Sequence, residues 1–321
     1  MFSLQARMFI LMSLMFAIVY AVVTMVMYTL GVSNFGMYLA LTIGLMGIQY
    51  MIGPKMVEWS MRVKYVSADE YPELFTMVRQ MAEKARIPMP RIGISDVNIP
   101  NAFAFGRWKS DGRVCVTRGI LNLLSAEELQ AVLGHELSHL KNRDVLTITL
   151  LSVIPMILYR LAWHLLFYPS RRRGKDSGQT ALIGLAALVL YFVTNLLVLY
   201  GSRIREYFAD RGSVELGNQP RYLASALYKL VYGNARADRD EVRSVAGLKA
   251  FFVNDPGRAA AEFRELKELD VDHSGTLDTA ELRRVREVPL RLSMGDRLME
   301  VFSTHPNMLK RIKTLSSYLN A

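Results

Sequence analysis

The stretch LGHELSHLKNRD, residues 133–144, places two of the chain's five histidines four positions apart, with a glutamate directly after the first. In a helix, residues i and i+4 lie on one face with their Cβ atoms about 5–6 Å apart. His135 and His139 can therefore point their rings at one metal ion, at the roughly 2.0–2.1 Å of a zinc–nitrogen bond. Glu136 is offset from these two ligands and can hold a water molecule. The spacing predicts a helix that carries a metal site.

The residues before this pattern support the helix. Ser125 is followed three positions later by Glu128, which matches a capping box at a helix start. Apolar residues then recur at helical spacing through the motif, at Leu129, Val132, Leu133, Leu137 and Leu140. The alternative, two surface histidines on an amphipathic helix, is the weaker interpretation unless no further ligand can be found.

A third ligand is available about seventy positions later. Residues 202–212, SRIREYFADRG, offer Glu206 and Asp210, which also share one helical face. Glu206 can complete a His₂Glu zinc site, and Asp210 can accept a hydrogen bond from a ligand histidine. Taken alone, two such carboxylates would more often belong to a solvated helix face. Combined with the histidine pattern, they favour a zinc site.

Four apolar runs predict an integral membrane protein. Residues 8–30 and 35–53 contain no charged side chain, and the first is long enough to cross a bilayer core of roughly 30 Å. Residues 180–201 form another good span, whereas a proline, an arginine and a histidine interrupt residues 145–168. We therefore expect residues 145–201 to form a hydrophobic hairpin that either crosses the bilayer or only associates with it.

The charge distribution argues against nucleic-acid binding. The net charge is +10, but residues 54–144 carry 13 basic and 11 acidic groups, and residues 202–321 carry 20 and 17. Neither segment is a concentrated basic patch. Basic residues beside the spans place the catalytic side in the cytoplasm, although RRRGK at 171–175 opposes this orientation. The single cysteine, Cys115, excludes an intrachain disulfide and a thiolate metal site, and it is predicted to be a buried core residue.

The sequence resembles the membrane-bound zinc metalloproteases of the HtpX type and, more distantly, the CAAX prenyl proteases. The paired N-terminal runs contribute to the resemblance, as do NAFAFG (101–106), GHELSHLKNRD (134–144), REYFAD (205–210), FFVNDP (251–256) and STHPNMLKRI (303–312). It implies one zinc ion bound by His135, His139 and Glu206, with Glu136 as the catalytic acid and base. Asp210 would form a hydrogen bond with one of the two ligand histidines.

The resemblance also implies two roles that spacing alone does not assign. His305 would lie beside the oxyanion of the reaction. Asn101, Ala102, Phe103 and Ala104 would belong to an edge strand that aligns the substrate backbone by main-chain hydrogen bonds. Such a strand predicts loose sequence specificity and a preference for unfolded segments, which agrees with the family's quality-control role on damaged membrane proteins.

Residues 270–281, DVDHSGTLDTAE, match the calcium loop of an EF-hand at every position, with the sharp turn at Gly275. The predicted calcium ligands are Asp270, Asp272, Ser274, Thr276, Asp278 and Glu281. The loop lies in an apparent insertion, about 258–290, that departs from the family pattern. We expect calcium to order this hairpin and position the His305 segment or the substrate cleft. Static stabilisation, a decayed loop of millimolar affinity, and pairing with a second copy remain alternatives.

Together these features predict an α+β, mostly helical, zincin-like peptidase with N-terminal transmembrane helices and a small sheet with an edge strand. Its predicted parts are 1–53 (two spans), 54–144 and 202–321 (the peptidase domain) and 145–201 (the hairpin). The expected function is a zinc endopeptidase of the inner or plasma membrane whose partners are protein or peptide substrates and lipid, with no nucleic acid. The oligomeric state is open.

Two other functions are compatible with parts of the sequence. One is a calcium-responsive membrane scaffold with a vestigial zinc site; the intact Glu136 argues against it, since a structural site needs no general base. The other is a prenyl-peptide protease, which the small number of spans disfavours.

Overall fold

The computed structural model describes residues 14, 50–144, 155, 157–159, 161–163, 165–166, 177–238, 240, 252–253, 259–287 and 294–319. The predicted spans 8–30 and 35–53 lie outside the described residues except at Leu14 and 50–53, as do most of 145–168 and all of 171–175. The chain divides into two compact units. One is Met1–Met51 with Leu146–Ile204, and the other is Ile52–Val145 with Arg205–Ala321.

The second unit contains a four-stranded sheet. Its strands are β1 (Val63–Tyr65), β2 (Arg91–Ser95), β3 (Ala102–Phe105) and β4 (Arg113–Thr117), in the order β1-β2-β4-β3. β2 and β4 are parallel, and the other neighbours are antiparallel. The stretches PRIGISDV (90–97) and GRVCVTRGI (112–120) each predict a strand from sequence, and both strands are present. The second strand ends earlier than predicted, at Thr117, because residues 118–123 form a helix. β3 is at one end of the described sheet, so one of its edges faces away from β4.

Alternation along β3 separates large side chains from small ones. Phe103 and Phe105 pack into an apolar cluster with the buried Cys115 and Phe252, as expected for a core cysteine. Ala102 is on the opposite face of the strand, which packs against the larger core of the unit. The small side chains let the histidine-bearing helix approach this face of the sheet.

Helices make up most of the second unit. They are α1 (Pro72–Ala85), α2 (Arg118–Leu123), α3 (Ala126–Asn142), α4 (Ser177–Glu215, whose last turns belong here), α5 (Pro220–Ala235), α6 (Ala259–Leu266), α7 (Thr279–Glu287), α8 (Met294–Val301) and α9 (Met308–Ser316). A 3₁₀ turn occupies Lys109–Asp111. The mostly helical fold with a small sheet is thus confirmed.

Helix α3 has the predicted capping box. Glu128 N donates to Ser125 Oγ at 3.3 Å, and Ser125 N donates to Glu128 Oε2 at 2.9 Å. The helix ends at Asn142, and its C-cap residue Arg143 has a left-handed φ of 58°. Its apolar face is fully buried at Val132, Leu133 and Leu137, so α3 is a core helix. His135 lies inside the protein, and His139 is partly exposed.

Two glycines allow α3 and the last turns of α4 to pack closely. A Cβ at Gly134 would lie 2.3 Å from Asn218 Nδ2, and one at Gly212 would lie 2.3 Å from Ser138 Oγ. Larger residues at either position would separate the two segments. The close approach matters for function because His135 follows the first glycine and Asp210 shortly precedes the second.

In the first unit, α4 is long and apolar. Among the described residues, the stretch Ala181–Glu215 has the length and composition to cross a membrane. Large apolar side chains on its first half are exposed, at Leu182, Leu185, Val189 and Phe192. Exposed apolar side chains in such numbers are expected on a helix whose surroundings are lipid.

Candidate metal centre

Atoms of three side chains converge from α3 and the last turns of α4. His139 Nε2 lies 3.2 Å from His135 Nε2 and 3.5 Å from Glu206 Oε1, and His135 Nε2 lies 3.6 Å from Glu206 Oε2. His135 and Glu206 are buried, and the three residues are together close enough to hold one metal ion. The structure thus brings together the three residues that the sequence predicts as zinc ligands.

The spacing of these atoms fits zinc. A tetrahedral zinc ion with ligands at roughly 2.0–2.2 Å separates its ligand atoms by about 3.3 Å. The observed separations of 3.2, 3.5 and 3.6 Å are close to that value. Two imidazole nitrogens and a carboxylate are also the donors of catalytic zinc sites that keep a fourth position for water.

Asp210 lies behind His135, as predicted. Its Oδ1 is 2.9 Å from His135 Nδ1, the ring nitrogen that faces away from His139 and Glu206. Burial alone would lower the pKa of His135, but hydrogen bonds with Asp210 and Glu206 raise this pKa to about 9. Burial lowers the pKa of His139, and the charge on the neighbouring His135 lowers it further. The two histidines therefore have different electrostatic environments.

Arg311, from α9, is a member of the site that the sequence analysis did not single out. Its side chain is fully buried, and its Nη1 lies 3.0 Å from Glu206 Oε2 and 3.1 Å from the carbonyl oxygen of Val253. Burial disfavours the charged form of Arg311, but the carboxylates of Asp210 and Glu206 raise the pKa of Arg311 above its usual value. In sequence, an arginine on an amphipathic helix is typical of a solvated face, so no local signal marks it.

Glu136 is buried beside the cluster. Burial raises the pKa of its carboxyl, while the nearby histidines and a hydrogen bond from the backbone of Ala104 oppose the rise. A carboxylate with a raised pKa accepts protons more readily near neutral pH, which is the property of a general base. The contact with Ala104 also places Glu136 against the edge strand β3.

His305 lies on the other side of Glu206. Its Nδ1 is 3.5 Å from Glu206 Oε2, and the side chain is mostly buried. Neither ring nitrogen has a hydrogen-bond partner among the residues that the structure describes. A buried imidazole that has no such partner and lies next to a candidate metal ligand is suited to bind a polar group of a reacting molecule.

The predicted substrate strand is close to the site, but its four residues differ in environment. Asn101 is 1% exposed, and its Oδ1 accepts a hydrogen bond from Val253 N at 2.9 Å. Ala102 and Phe103 are buried, and Ala104 is partly exposed. The Asn101 side chain therefore holds the Val253 segment.

The loop between α6 and α7 gathers part of its predicted ligand set. Carboxylate oxygens of Asp270, Asp272 and Glu281 lie within 4.8 Å of one another. Asp278 instead caps α7, because its Oδ1 accepts a hydrogen bond from Glu281 N at 2.7 Å. The loop turns at Gly275, whose φ is 78°. The hydroxyl groups of the two remaining predicted ligands, Ser274 and Thr276, lie 3.0 Å apart.

Comparison with known proteins identifies the family. The sequence model described as "Peptidase family M48" matches residues 68–319, which include the metal cluster, Glu136 and His305. The chain belongs to peptidase family M48. Metalloproteases of the M48 family use zinc, so the donor set and the family agree. The chain is a membrane-anchored metalloprotease of the HtpX type.

Two M48 relatives illustrate the similarity. A "Protease HtpX homolog" of Methanothermobacter thermautotrophicus is 51% identical over 229 residues, which cover 71% of this chain and 86% of that protein. A "Protease HtpX homolog" of Moorella thermoacetica is 34% identical over 317 residues, covering 98% and 93%.

A solved structure supports the M48 fold. The crystal structure of S. mikatae Ste24p superposes with a TM-score of 0.51 at 14% identity, covering 93% of this chain and 62% of that one. At this identity the comparison concerns the fold alone.

Proposed function

We propose that this M48 metalloprotease cleaves peptide bonds in unfolded or damaged membrane proteins, using one zinc ion held by His135, His139 and Glu206. The observation that carries the proposal is the convergence of two imidazoles and one carboxylate within 3.2 to 3.6 Å, next to the buried Glu136. Zinc in this site supplies a Lewis acid that activates water and polarises the scissile carbonyl.

Three side chains around the cluster have distinct roles in the proposed reaction. Glu136 takes a proton from the attacking water molecule and delivers it to the leaving amine. His305 donates a hydrogen bond to the developing oxyanion, a contribution typically worth roughly 3–4 kcal/mol of barrier. Asp210 holds the ring of His135 through Nδ1.

Strand β3 provides the substrate platform. Its backbone lies at the sheet edge, and Ala104 contacts Glu136, so a peptide added to this edge would pass the general base. Main-chain pairing requires an extended peptide and depends little on which side chains the peptide carries. This supports a preference for unfolded segments.

We also propose that the peptidase unit faces the cytoplasm, because basic residues flank the ends of the predicted spans that connect to this unit. They include Lys55, Lys64, Lys141, Arg143, Arg203 and Arg211. Labelling of single cysteines introduced into the peptidase unit, in intact cells and in inverted vesicles, tests the orientation. Labelling in intact cells by an impermeant reagent contradicts it.

The protease proposal is tested with the detergent-purified full chain. We expect about one zinc per chain and cleavage of unfolded casein by the wild-type protein. Glu136→Gln should keep the zinc and lose at least roughly 10²–10⁴-fold in kcat. Glu127→Gln, an exposed glutamate on the same helix, is the matched control and should remain active. Equal activity of Glu136→Gln and the wild-type protein would refute the assigned base.

A calcium site in the loop 270–281 is a separate proposal. It is supported by the match to all positions of the EF-hand pattern and by the three gathered carboxylates, of which Asp270 and Glu281 are buried. Tyr228 from α5 donates a hydrogen bond to Asp270 Oδ2 at 3.1 Å, which fixes the first ligand position against the core.

Contacts of this hairpin support an effect of calcium on the site. Asn307, which caps α9, donates to Glu265 Oε2 of α6 at 2.9 Å. Asn307 is two residues from His305, and α9 carries Arg311. Calcium that orders α6 and its loop would therefore also fix the segment that presents these two side chains.

Calorimetric titration of the zinc-loaded protein with calcium tests this proposal. We expect one site with a Kd between about 10⁻⁷ and 10⁻³ M and a higher kcat/KM with calcium bound. Glu281→Gln should raise the Kd at least roughly tenfold, because it removes the bidentate ligand. Glu287→Gln, exposed on the same helix, is the control. Binding without a change in kcat/KM would leave only a stabilising role, and no binding would refute the site.

A further inference from the structure

His139 contacts a carboxylate that none of the roles above includes. Its Nε2 faces His135 and Glu206, and its Nδ1 lies 2.6 Å from Asp144 Oδ2. This is the arrangement that Asp210 makes with His135 on the other side of the cluster. Each histidine thus has one nitrogen toward the cluster and the other against its own aspartate.

The end of α3 brings Asp144 to this position. The helix stops at Asn142, and Arg143 adopts a left-handed conformation with φ of 58°. In this turn the backbone N–H of Arg143 donates to Leu140 O at 3.2 Å, and the chain leaves the path of the helix. Asp144, five residues after His139, is thereby turned back toward the imidazole and is 6% exposed. A continuing helix would have carried it to another face.

Arg205 secures Asp144 from the neighbouring helix. Its guanidinium forms an ion pair with Asp144 Oδ1, and its Nη2 donates to the carbonyl oxygen of Asn142 at 3.1 Å. Arg205 directly precedes Glu206 in the sequence. The same turn of α4 therefore carries the third candidate ligand and the cation that holds the carboxylate behind the second.

We propose that Asp144 is a positioning residue for His139 and that Arg205 keeps Asp144 aligned with Glu206. The inference rests on the zinc site of the proposed function. Asp144 accepts the Nδ1–H proton and so fixes the tautomer in which Nε2 carries the lone pair that binds metal. It also fixes the rotation of the ring. The link through Arg205 sets the position of α4 relative to the end of α3, and hence of Glu206 relative to His139.

Zinc affinity of the detergent-purified full chain, measured by competition with a chromophoric chelator, tests the role of Asp144. We expect Asp144→Ala to bind zinc roughly 10–100-fold more weakly. Asp144→Asn should lose less, because an amide oxygen still accepts the Nδ1–H bond. Asp96→Ala removes an exposed ion pair with Arg118 and should bind zinc within about twofold of wild type, the loss of an exposed pair having little effect.

The absorption spectrum of the cobalt(II)-loaded protein gives a second readout. A shift of its visible bands in Asp144→Ala, with an unchanged spectrum in Asp96→Ala, would show altered ligand geometry that a merely structural role does not produce. Unchanged zinc affinity and an unchanged cobalt spectrum in Asp144→Ala would overturn the proposal. If Asp144→Ala does not fold, Asp144→Asn decides by the same criteria, and failure of both to fold would also overturn it.

A double-mutant cycle tests Arg205. Arg205→Gln should weaken zinc binding in the wild-type background and add little in Asp144→Ala, because the two residues act through one contact. Additive losses would overturn the part assigned to Arg205. Absence of zinc binding by the wild-type protein would instead refute the proposed function itself, so the two failures are distinguishable.

Discussion

Arg311 donates two hydrogen bonds to Asp210, from Nε to Oδ2 at 2.9 Å and from Nη2 to Oδ1 at 2.6 Å. This paired contact joins α9, near the end of the chain, to the helix that carries Glu206. Both side chains are 0% exposed, so neither charge has water as an alternative partner. The bond is thus part of the architecture that holds the metal cluster together.

We expect Arg311→Met to lower the free energy of unfolding by roughly 3–5 kcal/mol, because it leaves Asp210 and Glu206 buried without their cation. Arg311→Lys should restore only part of this loss, since an ammonium cannot form the same paired contact. Thermal unfolding in detergent measures the effect. Arg283→Met, which truncates an exposed arginine, serves as the control and should unfold like the wild type. Equal stability of Arg311→Met would contradict the assigned role.

Gly134→Ala should destabilise the protein although alanine favours helices. Its Cβ would lie 2.3 Å from Asn218 Nδ2 and 2.9 Å from Ser213 Oγ, so these two side chains must shift and lose their 3.1 Å hydrogen bond, or the helices must separate, at a cost of roughly 1–3 kcal/mol. Because His135 is the next residue, zinc affinity should fall as well. Gly53→Ala, with no atom within 4 Å of its Cβ, is the matched control and should be neutral or slightly stabilising. A stable Gly134→Ala protein would argue against the close packing.

Asn101→Ala removes the acceptor for Val253 N, whose carbonyl oxygen in turn accepts from Arg311. The buried N–H left behind should cost roughly 1–3 kcal/mol of stability. Asn101→Asp keeps an oxygen for this bond but buries a carboxyl group, so it should not restore the stability of the wild type. The unfolding temperatures and kcat/KM values of both variants test this role of the Asn101 side chain. If Asn101→Ala is as stable as the wild type but loses binding of peptides, the side chain contacts substrate.

Asp111 should contribute stability to the folded protein that is lost at acid pH. Burial opposes its ionisation, but Arg107, at 2.6 Å, and Arg113, at 3.0 Å, hold the pKa of its carboxyl below the usual value. A depressed folded-state pKa contributes stability above the unfolded value of about 3.9, and this contribution is lost as the pH falls through the folded-state pKa.

Asp111→Asn tests this contribution. Between pH 6 and 7 the variant should be less stable by roughly 1–3 kcal/mol, and the difference should shrink as the pH falls below about 4. Melting temperatures across this range measure it. Asp69→Asn, at an exposed position, should show no pH-dependent difference. A gap between wild type and Asp111→Asn that is constant with pH would show that charge is not its cause.

Much of the peptidase unit could be predicted from local sequence. The capping box at Ser125, the periodic leucines and the histidine pair predicted α3, because each signal acts within a few residues of the backbone it controls. The carboxylates Glu206 and Asp210 could be found because a zinc site with two histidines needs a third donor. The strand signals located β2 and β4, although the second strand was predicted to continue into residues that form α2.

Other members of the site carry no local signal. Arg311 and Asp144 are charged residues of the kind that usually lie on solvated surfaces, and their sequence neighbours predict nothing else. Asp144 faces His139 because the left-handed conformation of Arg143 takes the chain off the path of the helix, and Arg311 reaches Asp210 only because α9 packs into the core.

Residue types and their local spacing indicate the chemistry: which donors could bind zinc, which carboxylate could act as base, and which runs could enter a membrane. These properties depend on residue type and on spacing along one helix or strand. The tertiary structure alone decided which buried charges neutralise one another and that the Asn101 side chain holds Val253. Those pairings join residues that are far apart in the chain, and their energy depends on burial and distance, which only the folded arrangement sets.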